Sequence, residues 1–124
     1  MRMLVDYAPQ ASVSVPSQVS ISTTAALVLS ANPKRKGVMV QNTGTTVIKL
    51  TFGATAPTQT VYHVALAACT GADDGKGGVY FDDACTMDVR AISSGAGGTF
   101  TLTEFVTGSP NWDLASALGT LGLS

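Results

Sequence analysis

The chain has 124 residues, seven basic and eight acidic, for a formal net charge of −1. Charged residues make up 12% of it, against about 25% in ordinary soluble domains. With no basic excess, the composition excludes a dedicated nucleic-acid binder, which needs a cationic stripe to displace phosphate counterions. Apolar residues reach 45%, enough for one packed core and too many for a disordered chain. Serine and threonine number 27 and glycine 13, so hydroxyls rather than charges keep the surface wet. Such a surface suits a subunit packed among neighbours, or a Thr-rich secreted β domain.

Asp6 and Pro9 interrupt the first ten residues before an apolar stretch of useful length forms, which predicts no signal peptide. The longest apolar run, Val61 to Cys69, contains His63 and is about half the roughly 18 residues that a membrane-crossing helix needs. A soluble product with no membrane partner is expected.

Residues 1–16 read as an N-terminal arm, in which Val13 and Val15 alternate with Ser12 and Ser14 between Pro9 and Pro16, so that this part of it can pair as a strand. Strand signals follow at Val19 to Ser22 and Ala25 to Ser30. Ala31-Asn32-Pro33 breaks the pattern, and Lys34-Arg35-Lys36 makes a short basic turn. Gly37 to Phe52 then reads as the clearest hairpin, with Val38 and Val40 on one limb and Ile48, Leu50 and Phe52 on the other. Asn42-Thr43-Gly44-Thr45 supplies its turn chemistry.

After a loop over 53–60, a strand is expected from Val61 to Leu66, with Tyr62, Val64 and Leu66 on one face. A Gly/Asp loop over 70–78 leads to a short strand from Gly78 to Phe81, and Asp82-Asp83 turns the chain. Met87, Val89 and Ala91 are expected to face inward, and Phe100 and Leu102 mark the last strand. Beyond 107, Trp112, Leu114, Ala115 and Leu118 fit either a short helical turn or an extended tail. About eight short strands at spacings near ten residues predict an all-β, antiparallel, jelly-roll-like β-sandwich. Its divisions are an arm over 1–16, a sandwich over 17–106 and a tail over 107–124.

No arrangement for covalent or acid–base catalysis is present. His63 is the single histidine and sits within a strand signal, and no G-x-S-x-G turn exists. The Gly71–Gly77 stretch lacks the Ser/Thr after Lys76 that a phosphate-binding loop requires. Asp73, Asp74, Asp82 and Asp83 flank one short strand and are the weak candidates for calcium or for a carboxylate pair. Asp-Gly clusters are also ordinary turn formers. Cys69 and Cys85 are a candidate disulfide if their strands pair, and otherwise two small buried hydrophobes. A non-enzyme without cofactor or resident metal is expected. Lys34, Arg35 and Lys36 are either a solvated turn or a contact with an acidic partner surface, and Trp112 is either packed on its own domain or an anchor in a partner.

The run Ala31-Asn32-Pro33-Lys34-Arg35-Lys36, with Val38-Met39-Val40-Gln41-Asn42-Thr43-Gly44, resembles a module of small structural proteins of tailed bacteriophages. The pattern continues through Val47, Leu50, Phe52-Gly53, Ala56-Pro57-Thr58 and Tyr62-His63-Val64, then Val89 to Ser93 and Thr101 to Glu104. It spans residues 25–105 and departs from this chain in the Cys69–Cys85 stretch and the tail. The resemblance implies a capsid decoration (cement) protein. Such a protein is a homotrimer on the outer surface of the virion, made in the host cytoplasm, that binds the major capsid protein and bridges capsomers. Tyr7, Lys34, Arg35, Lys36 and Trp112 are then the expected partner-binding residues. The rival readings are a tail, fibre or connector component, or a glycan-binding module using Tyr7, Tyr62, Tyr80 and Trp112.

Overall fold

The computed structural model describes residues 11–107, so Tyr7, Trp112 and the segments that carry them lie outside the described residues. Eight strands follow one another: β1 Ala11–Ile21, β2 Ala26–Leu29, β3 Arg35–Asn42, β4 Ile48–Phe52, β5 Val64–Leu66, β6 Val79–Asp82, β7 Val89–Ser93 and β8 Gly98–Thr107. They form two four-stranded sheets, ordered β1-β8-β3-β6 and β2-β7-β4-β5, and every pairing is antiparallel. The chain thus crosses repeatedly between two layers, with only β4 and β5 consecutive in one sheet, in the eight-stranded, double Greek-key order of a jelly roll. The expectation of an all-β sandwich holds.

The core lies between the layers because side chains alternate along each strand. Val38 and Val40 of β3 and Phe100 and Leu102 of β8 point in from the first sheet. Ile48 and Leu50 of β4, Leu66 of β5 and Val89 and Ala91 of β7 meet them from the second. Burying each larger aliphatic or aromatic side chain contributes about 1.5–3 kcal/mol. The inward facing of Val89 and Ala91 agrees with the sequence pattern, whereas Met87 precedes β7 and is 51% exposed.

Three sequence expectations are corrected. β3 and β4 are not a hairpin: β3 pairs with β6 and β8, and β4 with β5 and β7. Alternation cannot distinguish the two cases, since strands in opposite layers of a sandwich show the same apolar period as strands side by side. The residues between them cross the layers because Asn42 ties both down. Its buried side-chain amide donates to the carbonyls of Thr46 (2.7 Å) and Leu66 (3.1 Å), and its Oδ1 accepts from the Gly44 amide (2.9 Å). The second concerns the boundary at residue 16: the strand signal over Val13 and Val15 is real, and 11–16 pair with β8 as the first half of β1, so the sheet begins before residue 17. Pro16 is tolerated because β1 is an edge strand, where a missing amide breaks no ladder. Third, the strand expected from Val61 is shorter: Val61 and Tyr62 are exposed, and β5 starts at Val64.

The Gly/Asp loop also has a steric role. A Cβ on Gly77 would lie 1.8 Å from the Asn42 carbonyl oxygen, so this glycine lets the loop pass against the end of β3.

Asn42→Ala would leave two buried carbonyls and one amide without partners, at about 1–3 kcal/mol for a group left unsatisfied. The variant is expected to lose about 3 kcal/mol in urea denaturation; a loss under about 0.5 kcal/mol would contradict the assigned role of the amide.

A candidate docking end of the sandwich

β3 carries a buried polar residue at each end, Asn42 at one and Arg35 at the other. The basic turn was expected to offer three cations to a partner. Arg35 is instead internal, with a side chain fully shielded from solvent. Its Nε donates to Glu104 Oε2 of β8 at 3.0 Å. One terminal nitrogen donates to the carbonyls of Cys85 (3.2 Å) and Met87 (2.8 Å), and the other to that of Ser30 (2.6 Å). A planar guanidinium with five donors can serve a carboxylate and three carbonyls at once, which lysine cannot. Asn32 completes the cluster, donating to the same Glu104 oxygen at 3.3 Å while its Oδ1 accepts from the Lys34 amide at 2.9 Å.

This arrangement fixes the geometry of the surface above it. Lys34 is exposed and Lys36 half-buried. The Lys34 carbonyl accepts from the Thr107 amide at 3.0 Å, and Ala11 pairs with Thr107. The basic turn therefore stands beside the points where the chain enters β1 and leaves β8. Val13 and Val15 of β1, opposite Val106 and Glu104, are 42% and 55% exposed at the same end. The result is a surface of exposed apolar and lysine side chains with both chain ends attached. Sequence reasoning brought Lys34 and Lys36 to attention but missed Val13 and Val15 as surface groups. They alternate as core residues do, but β1 joins the core only at Val19 and Ile21.

The two cysteines are free. The Cys69 thiol is buried and donates to the Asn42 carbonyl at 3.3 Å, whereas the Cys85 carbonyl accepts from Arg35. They thus sit near opposite ends of β3, roughly 20 Å apart at about 3.3 Å per residue. A disulfide needs Cα atoms within about 7 Å, so the candidate bond within one chain is corrected.

The four aspartates separate in the same way. The Asp73 amide donates to the Thr43 carbonyl at the Asn42 end, while Asp82 is opposite Val38 in β6. Asp74 accepts from the amides of Gly71 and Lys76, which hold its carboxyl below the usual carboxylate range. Asp82 accepts from the Ala84 amide (2.7 Å), the Tyr80 hydroxyl (2.8 Å) and the Cys85 amide (2.9 Å), and is likewise lowered. These carboxylates close turns. Among the described residues, no three His, Cys, Asp or Glu side chains converge as metal ligands. His63 has a structural post: its Nδ1 accepts from the Phe52 amide at 3.1 Å and its ring stacks on Phe52. Tyr80 is half-buried against Phe52, with ring centroids 5.3 Å apart. Desolvation, followed by the Asp82 hydrogen bond, pushes its pKa up to about 12.

No protein-family model matches the chain, and no curated protein does. Among solved structures, it is similar to a chain described with the words "Bacillus endospore appendages form a novel family of disulfide-linked pili". The identity is 17% and the TM-score 0.47, over 78% of this chain and 87% of that one.

Arg35→Lys keeps the charge but loses the fork, leaving carbonyls and Glu104 short of donors. Breaking a buried pair costs about 3–5 kcal/mol; the variant is expected to lose about 3 kcal/mol in chemical denaturation. Stability within about 0.5 kcal/mol of the parent would show that the cluster is dispensable. A second expectation concerns pH. Because the folded pKa of Tyr80 is raised, its contribution is full below the unfolded value near 10 and is lost as pH rises toward about 12. Denaturation midpoints should therefore fall across this range in the parent and less steeply in Tyr80→Phe. Equal slopes would contradict the burial of the phenol.

Proposed function

We propose that the chain is a phage capsid decoration protein that docks through the Arg35 end of its sandwich. The observation that carries the reading is the gathering of Lys34, Lys36, Val13, Val15 and both points of chain departure at one end. The phage-like module over 25–105 and the low charge support it, since identical copies at high density on a shell would otherwise repel. The work is mechanical. The subunit bridges major capsid proteins on the virion surface, as a trimer, and many weak attachments add up by avidity.

Lys34 and Lys36 supply electrostatic contacts to an acidic partner surface, and Tyr7 and Trp112, on the two end segments, supply apolar anchors. Arg35 contributes by holding the end in shape rather than by touching the partner. No catalytic step is assigned.

Copy number in purified virions, measured by quantitative mass spectrometry against the major capsid protein, tests the reading. Hundreds of copies are expected. Three to about a dozen would place the protein in a tail, fibre or connector, and none would overturn the virion assignment. Removing residues 1–10 is expected to abolish shell binding and leave the β-sheet circular dichroism unchanged, because the described fold starts at Ala11. Full binding of the truncated chain would contradict the role of that segment.

A further inference from the structure

The two sheets differ on the faces turned away from the core. The second sheet is roofed by its own chain: Thr51 Oγ1 donates to the Thr55 carbonyl, the Gln59 side chain to the Ser93 carbonyl and Arg90 Nε to the Gly53 carbonyl. Under this roof Thr51 and Ile92 are only 2% and 6% exposed. No described segment covers the first sheet in this way. Cross-strand partners share a face, so the register defines its rows. Ser14, Phe105 and Gly37 lie abreast, then Pro16, Thr103, Met39 and Phe81. The third row is Gln18, Thr101, Gln41 and Val79. None of these side chains is charged.

The β6 side of the face is apolar. Val79 is 56%, Phe81 55% and Met39 37% exposed. The Phe81 ring packs edge-on to Phe105 across Gly37, where a Cβ would stand 3.3 Å from the Phe81 ring. The β1 side is a field of hydroxyls and amides. A flat face without charge, half apolar and half hydroxyl, fits poorly against a charged surface. It meets no like-charge repulsion when laid on a copy of itself.

We infer that the outer face of the β1-β8-β3-β6 sheet is the surface through which copies of this chain associate with one another. The area is sufficient. Strands about 4.8 Å apart and about 3.3 Å per residue give roughly 500 Å² of flat face per copy. Two copies then bury about 1,000 Å², the threshold for a specific interface. One patch laid on itself closes a two-fold pair rather than a fibre, so this is a pairing contact of the free chain and not the contact that would make the trimer on the virion. This face turns away from the core and shares its strand ends with the docking end, and the inference does not depend on the virion reading.

Light scattering on the full-length chain after size exclusion tests it. The parent is expected to run at a whole multiple of the chain mass at micromolar concentration. Phe81→Lys and, on the hydroxyl side, Thr101→Lys each place a charge on the face at an exposed position. Each is expected to raise the dissociation constant at least about 100-fold and give monomer, with an unchanged circular dichroism spectrum. Val61→Lys, equally exposed on the roof of the other sheet, is expected to keep the parent mass. A monomeric parent would overturn the inference, as would variants that keep the multimer or a control that loses it. If the parent is monomeric and removal of residues 108–124 makes it associate, the occupant of the face is that segment and not a second copy.

Discussion

The fold depends on a charge that never reaches water. Arg35 stands at the start of β3, a central strand, and reaches into the end of the sandwich. There it binds Glu104 of β8 and the backbone of the β2–β3 and β6–β7 connections. The start of β3 and the connection before it are thereby fixed to two segments distant in sequence, the β6–β7 connection and β8, by one side chain. Isolating a guanidinium from solvent is costly, and its attraction to one carboxylate need not repay that cost. Here the remaining donors all find carbonyl oxygens, so the charge is retained without an unsatisfied group. Such a network contributes a defined geometry at the end of the domain, where Lys34, Val13 and Val15 are displayed.

At the other end of β3, Asn42 plays the matching part without charge, and the two residues divide the labour of joining the layers. The core between them is small and aliphatic. It can hold the sheets together but does little to fix how the connections cross at each end. Directional hydrogen bonds do that. The same logic explains why two of the aspartates are spent on turns: Asp74 and Asp82 each cap local backbone amides, and no three potential metal ligands converge among the described residues.

Much of the architecture was legible because apolar alternation survives translation into strands. The eight-strand count and the inward residues of β3, β4, β7 and β8 follow from period two alone. The layer in which each strand lies did not follow. Gly37 to Phe52 has the period of a hairpin, yet its limbs separate because of hydrogen bonds from Asn42 to residues as far away as Leu66. Arg35 was illegible for a similar reason. It sits among lysines in a turn-like sequence, and an irregularity in register between Arg35 and Gly37 moves it off the alternating pattern. Val13 and Val15 show the same period as core strands and are surface, since burial depends on what lies opposite. Composition pointed to a surface poor in charge, but only the register shows that three successive rows of one sheet face carry none.

On the proposed reading, two surfaces divide the molecule's dealings with its surroundings: the Arg35 end for a larger assembly and the uncharged sheet face for its own kind. Hydrogen exchange of the backbone amides, compared between the free protein and the particle-bound protein, separates them most directly. The account predicts new protection on particles at residues 11–15, 30–36 and 104–107, at the Arg35 end. Protection confined to the 68–78 loop beside Asn42, with the Arg35 end exchanging as in the free protein, would contradict it.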